Sequence, residues 1–140
     1  IRDSPRRARL YCVDTWTNDA MSEGRRDTFA DFVANTRRWA DVIVAVRGES
    51  SRVELPLEGE CDFVFIDGDH SYEAVRGDLA RFAPLVRSGG TLLLHDYGEV
   101  KPGVPRAVHE FLCGQEWLVK RRVESLLVLT RRATGTSFRR

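Results

Sequence analysis

The chain has 140 residues, 42% of them apolar, and its 22 Lys and Arg nearly cancel 21 Asp and Glu to leave a net charge of +1. That is enough chain for one domain, 1–140, with a real core, and so even a charge argues against a nucleic-acid partner held through its phosphates. No apolar run nears the roughly 18 residues of a membrane span and no signal-peptide pattern opens the chain, so a cytoplasmic protein with no membrane partner is expected. Cys12, Cys61 and Cys113 lack metal-ligand spacing and read as reduced thiols.

Residues 1–9 are a polar, arginine-rich lead-in. Residues 10–14 form a short strand ending in Asp14, and residues 15–24 a loop of Thr, Asn, Asp and Gly. Asp27 or Thr28 is placed to cap a helix reaching Ala40, with Phe29, Phe32, Val33, Thr36 and Trp39 on one face that is expected to pack into the core. Residues 41–46, rich in Val and Ile, form the next strand, followed at once by Arg47, Gly48, Glu49 and Ser50.

The centre of the chain carries one pattern twice. A buried strand at 61–66 ends abruptly in Asp67-Gly68-Asp69-His70-Ser71-Tyr72, and an apolar strand opened by Gly89-Gly90 ends in His95-Asp96-Tyr97. Between them, Val75, Leu79, Phe82, Ala83 and Val86 keep helical spacing over 72–86. A strand-helix-strand crossover is almost always right-handed and makes its two strands parallel, so both tips emerge on one edge of the sheet. Asp67, Asp69, His70, His95 and Asp96 are therefore expected to converge where open α/β sheets bind ligands. A local reading stands beside this one: Asp-Gly-Asp is also turn chemistry, and Asp69 or Ser71 is suited to capping the helix.

A turn at Lys101 to Pro105 starts a helix through Leu112 that stops near Gly114. Residues 117–122 and 126–131 are strands joined by so short a link that they must form a hairpin, with one strand antiparallel to the rest. The fold class is α/β, a mostly parallel sheet with a C-terminal antiparallel hairpin.

With Asp14, Glu49-Ser50, the Ile66 to Tyr72 block, Gly89-Gly90 and His95-Asp96-Tyr97 in hand, the chain resembles class I S-adenosylmethionine-dependent methyltransferases. Within them it is most similar to the bacterial small-molecule and sugar O-methyltransferases, a group that includes macrolide sugar and cephalosporin-pathway enzymes. The resemblance implies a Rossmann-like sheet and S-adenosylmethionine as cofactor. It assigns Asp14 to the ribose hydroxyls, Glu49 and Ser50 to the adenine, and Asp67 to the cofactor side of the site. It also implies that Asp67, His95 and Asp96 are the positions for a divalent metal, and that His70 is the general base. A carboxylate suits a ribose because it accepts from two neighbouring hydroxyls, and a histidine, titrating near neutral pH as a residue type, suits proton removal from a hydroxyl acceptor.

Two departures qualify the match. Mg²⁺ prefers oxygen ligands, so His95 shifts the expectation for any bound metal toward Mn²⁺, Fe²⁺ or Zn²⁺. No glycine precedes Gly24, so the glycine-rich turn that holds the cofactor's methionine end is missing. The family's first strand lies centrally in its sheet, and its absence is expected to leave the fold N-terminally incomplete and the sheet split. The chain is then the C-terminal part of a longer protein, or a piece stabilised by unusual pairing or by a partner. The expected partner is a small-molecule hydroxyl acceptor, with a homo-oligomer left open. The competing readings are a metal-dependent hydrolase on Asp67, Asp69 and Asp96, or a non-catalytic fragment.

Overall fold

A computed structural model describes residues 8–18, 24–57 and 59–133. The lead-in at 1–7 and the middle of the loop at 19–23 lie outside that range. The elements follow the expected order: β1 (Leu10–Asp14), α1 (Phe29–Thr36), β2 (Ile43–Arg47), β3 (Cys61–Ile66), α2 (Tyr72–Phe82), β4 (Val86–Leu94), α3 (Gly103–Leu112), β5 (Trp117–Val123) and β6 (Leu126–Arg131). Two compact units result, Ile1–Pro56 and Leu57–Arg140, each with its own sheet.

In the first unit β1 and β2 pair in parallel, from Leu10 opposite Ile43 to Asp14 opposite Arg47. Asp27 opens α1: its Oδ1 accepts the Phe29 N–H at 2.9 Å, while Thr28 makes no side-chain cap. The helix is shorter than its periodicity predicts. The Thr36 hydroxyl donates to the Phe32 carbonyl at 2.7 Å, a back-bond that competes with regular helix, and residues Arg37–Trp39 tighten into a 3₁₀ turn. The expected core face is also corrected, because α1 buries no residue and Val33 is 47% exposed. The apolar centre here is Trp16, whose ring meets Phe29 and Phe32 at centroid distances of 5.0 and 4.8 Å.

In the second unit the sheet order is β3-β4-β6-β5, with β3 and β4 parallel and β6 antiparallel to both its neighbours. Leu92 faces Leu129 and Leu94 faces Leu127 across the β4–β6 ladder, and all four are buried. They form one core with Val75 and Leu79 of α2 and Val104, Ala107 and Val108 of α3. Burying each such leucine is worth about 1.5–3 kcal/mol, which makes this core the anchor for the strand tips.

Helix α2 ends at Phe82 rather than Val86. Pro84 has no N–H to continue the ladder, residues Ala83–Leu85 form a 3₁₀ turn, and Val86 already belongs to β4. The strand then runs through the glycine pair. Cys61 stands opposite Val86 but Phe63 is already opposite Thr91, so β4 carries extra residues that must bulge. Gly89 takes a positive φ of 72°, and a Cβ on Gly90 would lie 2.9 Å from the Asp62 carbonyl oxygen. Both glycines are thus required by the bulge. No helix among the described residues is long and apolar enough to cross a membrane.

Candidate active site

Parallel pairing sets Ile66 opposite Leu94, so Asp67 and His95 leave the sheet side by side, and the His95 N–H extends the ladder to the Ile66 carbonyl at 3.1 Å. His95 Nδ1 lies 3.0 Å from Asp67 Oδ1 and 3.5 Å from Asp96 Oδ1. One ligand atom from each of Asp67, His95 and Asp96 falls within 4.8 Å of the others. Asp96 adopts a left-handed φ of 51°, which aspartate tolerates better than most residues and which turns the chain sharply at the strand tip.

His70 joins this group from the loop before α2. Its Nε2 is buried 2.8 Å from Asp96 Oδ2 and, among the described residues, has no other polar partner. Its backbone is fixed from both sides. Asp69 Oδ1 accepts the Ser71 N–H at 2.6 Å, and the Ser71 hydroxyl oxygen caps α2 by accepting the Ala74 N–H at 3.3 Å. Across the loop, a Cβ on Gly103 would fall 2.5 Å from the His70 carbonyl oxygen and 2.7 Å from the Tyr72 nitrogen. Only glycine lets the start of α3 approach this closely. The Ser71 N–H, then the Ser71 hydroxyl, hold the Asp69 carboxyl below the ordinary carboxylate range, with smaller help from the charges of His70 and Lys101. Asp69 is therefore the loop's fastener, and Ser71 is the cap that the local reading expected.

Tyr72 and Tyr97 lead away from the cluster. The Tyr72 hydroxyl donates to Glu110, which raises its pKa, and the Tyr97 hydroxyl lies 3.0 Å from His109 Nε2. Ser125, in the β5–β6 turn, lies 3.4 Å from His95 Nε2, and its carbonyl accepts the Tyr97 N–H. Sequence reasoning passed over Ser125 because only the pairing of β6 with β4 carries the hairpin turn back to the strand tips; no local pattern marks it. Gly103 was missed for the same reason.

In the first unit, Asp14 and Glu49 follow the C-terminal ends of neighbouring parallel strands. Asp14 Oδ1 accepts the Trp16 N–H at 2.7 Å and lies 3.5 Å from the Thr15 hydroxyl, while the carboxylate as a whole is exposed. Glu49 forms a surface ion pair with Arg52 at 3.3 Å, and half-buried Ser50 follows it in the turn.

Comparison with known proteins bears on the fold. The fold is similar to that of the O-methyltransferase NovP, with a TM-score of 0.70 and 16% identity over 91% of this chain and 62% of NovP. CalS11, a TDP-rhamnose 3'-O-methyltransferase of calicheamicin biosynthesis, matches with a TM-score of 0.63 and 16% identity over 87% of this chain and 57% of its own. MycE of the mycinamycin pathway, solved with Mg, SAH and mycinamycin VI, matches with a TM-score of 0.56 and 16% identity over 94% and 38% respectively. A ribosomal protein L11 methylase shares the fold too, so the fold alone does not choose an acceptor. The chain thus spans less than two thirds of the length of NovP. The family described as a methyltransferase domain matches residues 2–97, and to that methyltransferase family the chain belongs.

Proposed function

We propose that the chain transfers a methyl group from S-adenosylmethionine to a hydroxyl of a small molecule, a sugar or another natural product, with His70 as general base. The observation that carries this reading is the buried Nε2 of His70, 2.8 Å from Asp96 Oδ2 at the edge of the Asp67, His95 and Asp96 cluster. A hydroxyl is a poor nucleophile near neutral pH and must shed its proton as it attacks; the His70 imidazole is placed to accept it, with Asp96 beside it to stabilise the imidazolium that forms. The cofactor supplies a methyl group activated on a sulfonium. Asp14 is suited to the ribose because its exposed carboxylate keeps acceptor capacity beyond the Trp16 N–H, and Glu49, Ser50 and Asp67 complete the proposed cofactor contacts.

Two carboxylates and an imidazole within 4.8 Å fit a divalent cation. Asp67, His95 and Asp96 would hold it, and it would lower the pKa of the acceptor hydroxyl and orient it. The nitrogen donor favours Mn²⁺, Fe²⁺ or Zn²⁺ over Mg²⁺. Ser125 faces the remote nitrogen of His95 and so presents Nδ1 to the two acids. NovP, an O-methyltransferase, and CalS11, a TDP-rhamnose 3'-O-methyltransferase, support oxygen as the methylated atom, and CalS11 together with the mycinamycin VI complex of MycE supports a small natural product as the acceptor. The reading includes no nucleic-acid or membrane partner and a cytoplasmic location, and leaves a homo-oligomer open.

The test is incubation with methyl-labelled S-adenosylmethionine, Mn²⁺ and a panel of hydroxylated sugars and macrolides. Label is expected in an acceptor, with EDTA reducing transfer and Asp67→Asn and Asp96→Asn abolishing the response to added metal. Metal-dependent hydrolysis without transfer would return the site to the hydrolase reading.

A further inference from the structure

We infer that the acceptor carries an anionic group, a phosphate or a carboxylate, which Lys101 and Arg122 bind in the cleft beside Asp96; this rests on the methyltransferase reading. The cleft has a volume of about 800 Å³ and opens between the β4–α3 connection and the β5–β6 turn. Asp96, Tyr97 and Ser125 line its inner end, so anything filling it abuts the cluster. Lys101 and Arg122 line its flanks.

The two cations are available. Among the described residues neither Lys101 nor Arg122 has a carboxylate oxygen within 4 Å, a state they share with surface cations such as Arg76, Lys120 and Arg121; what distinguishes them is their place in the cleft. Arg122 is also pre-positioned. Its Nε donates to the Glu124 carbonyl at 2.7 Å, and its guanidinium carbon sits 5.3 Å over the Tyr97 ring, leaving the terminal nitrogens for a ligand. A guanidinium held in this way presents a planar fork that matches the oxygens of a phosphate or carboxylate, with Lys101 adding a point charge.

Glu99 and Asp96 line the same cleft, so its lining balances two cations with two acids, and the cations face an anion only where Lys101 and Arg122 lie together. Neutral sugars would leave both cations without a carboxylate or phosphate within ion-pair distance. An acceptor bearing an anion satisfies them and places a hydroxyl toward His70 and Asp96.

The experiment is NMR titration of the chain with glucose 6-phosphate, glucuronate and methyl glucoside, each with and without S-adenosylhomocysteine. At least one anionic sugar is expected to bind about tenfold tighter than methyl glucoside, shifting the amides of Gly98, Lys101 and Ser125. The tighter of the two assigns phosphate or carboxylate. Arg122→Gln and Lys101→Gln are each expected to weaken that binding about five- to tenfold, and Glu99→Gln to strengthen it. Lys101 is an exposed loop residue, so its variant reads out binding even where Arg122→Gln disturbs the hairpin. Equal binding of the three sugars, or anion binding indifferent to both substitutions, overturns the inference. S-adenosylhomocysteine binding without anion preference overturns it and leaves the methyltransferase reading intact. Anion binding without S-adenosylhomocysteine binding overturns that reading, and with it the assignment of the anion to an acceptor.

Discussion

His70 and Asp69 are neighbours with opposite duties, and their hydrogen bonds tell them apart. The His70 ring nitrogen is buried 2.8 Å from the Asp96 carboxylate, while the Asp69 carboxylate is committed to the Ser71 N–H at 2.6 Å. Replacing His70 with alanine is expected to lower kcat by about 100-fold or more while leaving S-adenosylhomocysteine affinity within about twofold. An unchanged kcat would remove it from the role of base. Asp69 predicts a pH effect on stability instead. Its folded pKa is depressed, so its contribution is present above the unfolded carboxylate value of about 4 and is lost as pH falls through the lower folded value. The Tm gap between the natural chain and Asp69→Asn is expected at pH 6 and should close as pH drops below about 4. A gap that stays constant with pH would mean the Asp69 charge contributes nothing. Both residues were legible in the sequence as a polar strand tip, but their division of labour was not, because it depends on which donor each group meets.

At the scale of elements, the sequence foretold the order of strands and helices and missed where several begin and end. The β4 tip His95-Asp96 was legible because an apolar run ending in polar residues survives any small error in boundaries. The start of β4 was not, since Val86 fits helical spacing and only Pro84 marks the break. The α1 face failed differently: its apolar spacing is real, but Trp16, from a loop with no readable signature, takes Phe29 and Phe32. Gly103 is the element-scale hinge of the account, since it admits α3 against the His70 loop. Gly103→Ala is expected to destabilise the chain by about 1–3 kcal/mol, because neither the His70 carbonyl nor the Tyr72 amide can retreat easily. At a temperature where the variant is folded, it should also reduce kcat. A variant with natural Tm and natural kcat would show that α3 does not set the position of the loop.

For the molecule as a whole, the family was legible from a few residues at strand tips, because the chemistry concentrates at the C-terminal edge of a parallel sheet whatever the rest of the sequence does. The cleft beside Asp96 was not legible: Lys101 comes from the β4–α3 connection and Arg122 and Ser125 from the β5–β6 hairpin, two segments that only the fold brings together. The central proposal is that this chain is an S-adenosylmethionine-dependent methyltransferase in which Asp14 binds the cofactor and His70 takes the acceptor's proton. The measurement that tests it most directly is calorimetric titration of S-adenosylhomocysteine into the folded chain and into Asp14→Ala. Saturable binding is expected, weakened about tenfold or more by the substitution, as loss of hydrogen bonds to a charged group implies. No binding to the natural chain, or binding indifferent to Asp14, would contradict the account.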